Sequence, residues 1–597
     1  MPVSGLGVEG DDTTLVVDPI LVAPENGDFR LHYGSPCLDV GTALDDVTSD
    51  LPGHPRPIGN GPDLGCYEMD YADPSKLYAI FNANQTSGGG ELAATFTVTL
   101  ENGTTPVFYK WDFGDGQTLT VTEPTADHTF APGTYTVALT ITDSSEPHKT
   151  AKVTRLNYIH VKNVCPEVYV SDKGSDTPPY DTIEKASHSI QAAIDSVYAT
   201  DEKPGIVHVA SGTYSESDGK TTDCRSPMLL IEKPVHLIGM GASRDDVVLD
   251  AENKCQVLLL KHPQAMVENL TLANGKCTGF GSPNTGGNLT LLNGLVRNCV
   301  ITNGFSVNFG NVYAENGSII DSVICKGSLE VSGPDRPAAG INAYGTVLID
   351  NCEFHDNAGG YGSALYIPWA GRGTTARNCT FYKNSNTGNG GGAVVLEGGL
   401  LESCVITSNL TWEGGGGVLL RNNTAIMRNC LIARNESKGN KYDFGYQNGG
   451  SGGGVAMSAG TVVNCTITGN KAATESGHDL FITGGKVVNT IVSPSGDVLP
   501  EKSIYKTGGA FSYCFVPSLA IEGVKNFTAE NPGFRNAGKG DYRLSASSPC
   551  LDKGDDSYWQ DIEKPLDLAG QPRISHRAVD VGAYEFSSIL GTLMIVR

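Results

Sequence analysis

The sequence predicts an all-β protein: a parallel β-helix, wound from one chain as a single-stranded solenoid, joined to a small β-sandwich. Three observations carry this. A short register recurs along the second half of the chain, glycine is abundant where charge is scarce, and one stretch near the N-terminus alternates apolar and polar residues between turn signals.

The register is an Asn-Cys or related pair followed by an apolar residue two positions on. It stands at Asn298-Cys299, Asn351-Cys352, Asn378-Cys379, Asn429-Cys430 and Asn464-Cys465, with variants at Asn269-Leu270, Asp321-Ser322, Ser403-Cys404 and Asn489-Thr490. Neighbours are mostly 23 to 30 residues apart, with one interval of 35 between Cys430 and Cys465. That is the period of a solenoid. Roughly 25 residues are too many for one strand and hold no helical period, so each turn is read as three short strands and three corners. Coils stacked at the ~4.8 Å spacing of paired strands satisfy the backbone ladder along the axis. Like residues then recur because each side chain sits above its counterpart. The Asn column is expected to hydrogen-bond along itself and to corner backbone, and the Cys column to fill the narrow interior as free thiols.

Composition fits an elongated, exposed object. Glycine is 74 of 597 residues and charged residues only 18%, which suits many tight corners and few amphipathic helices. The net charge of −24 argues against nucleic acid and anionic membrane as partners, while leaving calcium compatible. No apolar run is long enough to cross a bilayer, and the opening MPVSGLGVEGDD lacks the basic and apolar regions of a signal peptide. The 15 cysteines show no spacing suited to a metal, so neither metal nor cofactor is predicted. Cys37 and Cys66 imply no structural disulfide, because their C-terminal counterparts are Cys550 and Ala583.

That comparison rests on a second repeat. DPILVAPENGDFRLHYGSPCLDVG near the start and NPGFRNAGKGDYRLSASSPCLDKG near the end match at Asp28/Asp541, Arg30/Arg543, Pro36/Pro549, Cys37/Cys550 and Asp39/Asp552, each pair 513 residues apart. After a variable loop the match resumes as PDLGCYE against AVDVGAYE. The chain is therefore expected to open with the closing segment of a preceding β-helix unit (1–72), to close its own helix with another (521–597), and to be a slice of a longer tandem array.

Between them, residues 77–163 carry alternating strands such as TFTVTL and TYTVALTI, the pattern of a β-sandwich. Trp111-Asp112-Phe113-Gly114-Asp115-Gly116, with His128, Phe130, Gly133 and Tyr135 downstream, closely resembles the PKD domain family, which implies an immunoglobulin-like sandwich used as a spacer or weak sugar-binding module. Asp115-Gly116 reads as a hairpin turn and Trp111 as core.

The solenoid is expected over 166–520. SIQAAIDSV (Ser189 to Val197) reads as an amphipathic helix able to plug the open end of the first coil. This entry resembles that of pectate-lyase-like right-handed β-helix proteins. FHDN before GSALYI, FYKN before GGGAVVL, and ITSN, IARN and ITGN ending at Asn409, Asn435 and Asn470 resemble the repeats of polymorphic outer-membrane proteins and other surface-displayed passengers. The SPCLD…GAYE segments look like those of large bacterial surface proteins. These families imply an extracellular or cell-surface location and no single activity.

Polysaccharide hydrolases and lyases of such folds place paired acids across adjacent coils. No such array is seen here. The strands after the glycine runs (ALYIP, AVVLE, VLLRN, VAMSA, DLFIT) are apolar on both faces, and Glu397 and Arg421 read as a stacked salt bridge. His478-Asp479 reads as a hydrogen-bonded surface pair. Candidate ligand contacts lie in loops: Tyr361, Trp412, Glu413, Lys441, Tyr442, Asp443 and Tyr446, where aromatic rings beside polar groups suit sugar faces. The sequence reading is a non-catalytic adhesin or stalk binding polysaccharide or surface glycan, with a polysaccharide lyase or glycoside hydrolase as the alternative.

Overall fold

The computed structural model describes residues 19–587 except 24–26, 71–72, 74, 106, 163, 218, 223–224, 279–284, 330–336, 387–390, 413, 440–450, 475–476, 495, 497 and 518–520. The chain forms two compact units, Met1–Cys165 and Pro166–Arg597.

In the first unit, Leu21–Ala23 and Asp28–Leu31 pair as an antiparallel hairpin. A sandwich follows. One sheet orders Tyr78–Ala83, Leu92–Glu101 and Thr125–Phe130; the other orders Ser87–Gly89, Thr150–Lys162, Gly133–Thr142, Phe108–Asp112 and Thr118–Val121. In Leu92–Glu101 the side chains of Leu92, Ala94, Phe96 and Val98 alternate inward, the period-2 signature of a half-buried strand. They meet Phe81, Trp111, Phe113 and Phe130 in a core of fully buried rings. The Asp115-Gly116 turn does join two antiparallel strands, Phe108–Asp112 and Thr118–Val121. Asp115 also accepts from His128 Nε2 at 2.8 Å, and the imidazole stacks on Phe113 at 3.9 Å. The motif's acid, aromatic and downstream histidine are thus one packing cluster.

The second unit is a parallel β-helix. One coil shows the plan: Val394–Leu396, Leu400–Glu402, Val405–Thr407 and the two-residue Leu410–Thr411. The first three strands pair in parallel with Val418–Leu420, Ile426–Arg428 and Leu431–Ala433 of the next coil. Eleven strands stack in the third sheet, from Gly212–Tyr214 to Ile491–Ser493. The reading of three strands per coil needs two amendments. A short fourth strand is added in several coils, and Val312–Ile320 and Ile341–Asp350 run through the first corner without a break.

The helix proposed as a plug packs on the first strands of the β-helix. The helix Ile190–Ser196 buries Ile190, Ala193 and Ile194, and its Ser189 cap accepts from Ala192 N.

The Asn-Cys pair splits at the second corner. The Asn position takes left-handed φ, between 47° and 61° at Asn269, Asn298, Asn351, Asn378, Asn429, Asn464 and Asn489, and Asn tolerates that region better than most residues. Its amide bridges coils: Asn298 Nδ2 donates to Asn269 Oδ1 at 3.0 Å, and Asn489 Nδ2 to Asn464 Oδ1 at 3.0 Å. The following residue turns inward. Cys299, Cys352, Cys379, Cys404, Cys430, Cys465 and Cys514 form one buried file of free thiols, with Ser322 and Thr490 in the gaps. Burial pushes Cys299 and Cys514 up to about 12, as expected for thiols kept from water. Outside this file, Cys277 is disulfide-bonded, which the sequence reading did not anticipate.

A second, wholly interior ladder stands at the third corner. Asn357 Nδ2 donates to Asn384, Asn384 to Asn409, Asn409 to Asn435 and Asn435 to Asn470, at 2.9 to 3.1 Å. Each of these four also donates to a backbone carbonyl, from Ile324, Phe354, Phe381 and Ile406, so both amide protons are used. The ladder ends on Asp479, which accepts from Asn470 and from Ser503 Oγ at 2.7 Å. The surface His-Asp pair is corrected here: Asp479 is fully buried, and His478 Nδ1 accepts from Ala472 N instead.

Residues 532–587 lie along the outside of the last coils. Phe534 and Tyr542 pack on Val405 and Leu431, while Leu544, Cys550 and Val581 pack with Ile491 and Phe515. The Asn corner supplies anchors. Asn464 Nδ2 donates to Asp580 O, Trp559 Nε1 donates to Asn464 Oδ1, and Gly582 N donates to Asn489 O, all within 2.9 Å.

Candidate functional site

Outward-facing residues of the β-helix can be read from strand register. On the first sheet the file runs Tyr313, Asn342, Tyr366, Val395, Leu419, Ala456, Phe481, Tyr505. It is apolar on its outer face too, and around Tyr366 it becomes aromatic. Phe309, Tyr313, Tyr344, Tyr366 and Tyr361 form a chain of rings with successive centroids 4.9 to 6.2 Å apart. Tyr344, Tyr361 and Tyr366 are partly exposed, and Trp369 is 55% exposed at one flank.

Charged groups frame this strip. Tyr366 donates to Glu397 Oε2 at 2.9 Å and Tyr313 to Glu315 Oε1 at 2.7 Å. The Arg421 guanidinium lies 4.9 Å from the Tyr361 ring, and Arg372 4.7 Å from the Trp369 ring. Burial, then the Glu397 charge, raises Tyr366 above the ordinary phenol range; burial does the same for Tyr344. Both hydroxyls therefore stay protonated donors at neutral pH. The turn Trp369–Gly371 packs on Ile341–Asp350 so closely that a Cβ at Gly371 would lie 2.2 Å from Ala343 O. A residue without a side chain is required there, and it holds the turn that carries Trp369 against the strand that carries Tyr344.

Glu397 and Arg421 occupy neighbouring register positions, yet they bind Tyr366 and Tyr361 rather than each other. The stacked ion pairs are on the second sheet. There Asp350, Arg377, Glu402 and Arg428 follow one another coil by coil, with Arg377–Asp350 at 2.7 Å and Arg428–Glu402 at 2.6 Å. Arg297–Glu268 repeats the pattern above them at 2.8 Å. Tyrosine has a hydroxyl to offer Glu397 and a ring face to offer Arg421, so the aromatic neighbours divide the pair.

Of the sequence-predicted residues, Tyr361 joins the aromatic strip. Trp412 is 37% exposed. Glu413, Lys441, Tyr442, Asp443 and Tyr446 lie outside the described residues. Strand register relates the places they leave from. Ala358, Ser385 and Leu410 stack as parallel bridges, and Leu410–Thr411 pairs with Glu436–Ser437. Tyr361 and Trp412 thus follow the same corner two coils apart, about 10 Å along the axis. The extra residues of the 35-residue interval fall between Ser437 and Val455, because register on both sides is continuous.

A smaller polar cluster sits on the third sheet. Tyr382 donates to Glu353, the His355 ring stacks on Tyr382 at 5.2 Å, and His355 Nδ1 lies 2.7 Å from Asp356 Oδ2. Sequence reasoning noticed His355 and Asp356 and missed Glu353 and Tyr382; strand register pairs His355 with Tyr382 and Glu353 with Thr380, so the Tyr382–Glu353 bond is diagonal between coils. Among the described strands, Glu268, Asp350 and Glu402 pair with an arginine, Glu315 and Glu353 with a tyrosine, Glu436 with Lys471 and Glu167 with His208, and none faces a second carboxylate in the adjacent coil. No group of three or more His, Cys, Asp or Glu is placed to hold a metal ion among the described residues.

Residues 79–157 match the PKD domain family model. No curated protein matches the chain. Among solved structures, a pectate lyase is similar at 13% identity, covering 70% of this chain and 96% of its own, with a TM-score of 0.35. A family 28 exopolygalacturonase from Yersinia enterocolitica is similar at 11% identity, covering 70% and 96%, with a TM-score of 0.27. A pectin methylesterase from carrot is similar at 9% identity, covering 61% and 88%, with a TM-score of 0.23. The fold assignment rests on the strand pairing itself: this chain joins a domain that matches the PKD model to a parallel β-helix.

Proposed function

We propose that the protein is a secreted or cell-surface, non-catalytic adhesin or stalk that binds glycans on neighbouring surfaces. The observation that supports this most is the strip of partly exposed Tyr344, Tyr361, Tyr366 and Trp369, framed by Glu397, Arg372 and Arg421. Flat ring faces stack on sugar faces, and the carboxylate and guanidinium groups supply hydroxyl partners. The outward carboxylates of the strands, already engaged by arginine, lysine, histidine or tyrosine, favour adhesion over a polysaccharide lyase or glycoside hydrolase, which needs an acid and a base flanking one bond. The strong negative charge favours glycan over nucleic acid. The loop residues Trp412, Glu413, Lys441, Tyr442, Asp443 and Tyr446 are the further glycan contacts of this proposal.

The test is a glycan array with the purified chain, together with assays on acidic and neutral polysaccharides with calcium and with chelator. Binding without turnover is expected, weakened by about 1–3 kcal/mol in Trp369→Ala and in Trp412→Ala. Unsaturated products or new reducing ends would overturn the adhesin reading in favour of catalysis.

A further inference from the structure

The two closing segments share a hydrogen-bond skeleton, but positions that the C-terminal copy buries against the β-helix are exposed in the N-terminal copy. In the C-terminal copy, Asp580 N donates to Glu585 at 3.0 Å, Phe586 N to Asp580 at 2.6 Å, Glu585 N to Asp567 at 2.8 Å and Asp552 N to Asp580 at 2.7 Å. In the N-terminal copy, Asp63 N donates to Glu68 at 2.9 Å, Met69 N to Asp63 at 2.7 Å, Glu68 N to Asp50 at 3.2 Å and Asp39 N to Asp63 at 2.8 Å. The ion pair recurs as Arg573–Glu585 and Arg56–Glu68. Both copies are therefore built to one shape.

Their surfaces differ at matching positions. Tyr542 is 5% exposed against Val405 and Leu431; its counterpart Phe29 is 56% exposed. Val581 is fully buried against Ile491; its counterpart Leu64 is 40% exposed. Ala583 is fully buried and donates its N–H to Thr466 Oγ1, whereas Cys66 is an exposed free thiol. Leu44, Val47 and Pro62 line a depression together with Leu64. Apolar groups gathered on one face of a preformed segment mark a docking surface.

We infer that the N-terminal closing segment docks, through Phe29, Leu64 and Cys66, along the outer corner of a second parallel β-helix. The occupant is specified by what the C-terminal copy covers: left-handed Asn corners like Asn464 and Asn489, with apolar residues like Val405, Leu431 and Ile491 facing outward on the adjoining strands. This chain's own corner of that kind is already covered, so the partner is another helix. The inference stands apart from the glycan reading, since it uses none of the tyrosine strip.

A graft tests it. Residues 19–70 replace 532–587 in the full chain, with Cys66→Ser in the original copy so that the remaining Cys66 reports on the graft. The grafted chain is expected to unfold within a few degrees of the parent and well above a chain ending at residue 531. Its Cys66 should react with a thiol reagent at least tenfold more slowly than Cys66 in the parent. Phe29→Asp with Leu64→Asp should abolish both effects in the graft, and leave the parent's midpoint unchanged when placed in its original copy. A graft that fails to fold, melts with the truncated chain, or keeps a fast-reacting Cys66 would overturn the inference.

Discussion

Asp479 is the residue whose environment asks most of it. It is the acidic end of an otherwise neutral amide ladder, fully buried, and burial pushes its carboxyl up to about 7 from the ordinary 3.8. Between those values the native state holds a proton the unfolded chain has lost, so this group's contribution to stability falls as pH rises through 7. The loss from pH 5 to pH 8 is about 3 kcal/mol. Asp479→Asn keeps an oxygen for Asn470 and presents an amide to Ser503. Urea unfolding should show it more stable than the parent at pH 8 and similar at pH 5; equal stability at both would show the carboxyl is not strained. Asn409→Ala should cost about 3 kcal/mol, because Asn384 N and Asn384 Nδ2 both lose their acceptor and Asn435 Oδ1 loses one of its two donors inside the core. The corner asparagines were legible in the sequence because they recur beside cysteine at a fixed period. The inner ladder was visible only as a recurring F/I-x-x-N, and its meaning depends on stacking, which a linear pattern does not display.

At the scale of elements, the same chemistry has different worth in different places. Arg377 bridges Asp350 on a half-exposed face, where an ion pair is worth under about 1 kcal/mol. Arg573 is fully buried beside Glu585, with Asp567 and Asp580 close by, and burial lowers its own pKa against their pull. Arg573→Ala should therefore cost about 3–5 kcal/mol, several-fold more than Arg377→Ala, in denaturant titrations of the two variants. Strand positions and the entry helix were readable from local pattern, as were the matched closing segments. Their lateral seat on the helix was not, because Asn464 and Trp559 are 95 residues apart and no period links them. The aromatic strip was missed for a similar reason: Tyr313, Tyr344 and Tyr366 come from successive coils with loops of unequal length between them, and only Tyr361 stood out beside a corner.

The larger unit of the molecule is a stack in which each coil is held by its neighbours, so protection there should be collective rather than local. The thiol file reports on this directly, since its seven members span coils from Cys299 to Cys514 and all are buried and free. The measurement is thiol labelling of the native chain followed by peptide mass spectrometry. Cys66 should modify within minutes, while Cys299, Cys352, Cys379, Cys404, Cys430, Cys465 and Cys514 stay unmodified until the helix unfolds and then react together. Labelling of Cys379 or Cys404 in the native chain at a rate near that of Cys66 would contradict the stacked-coil account.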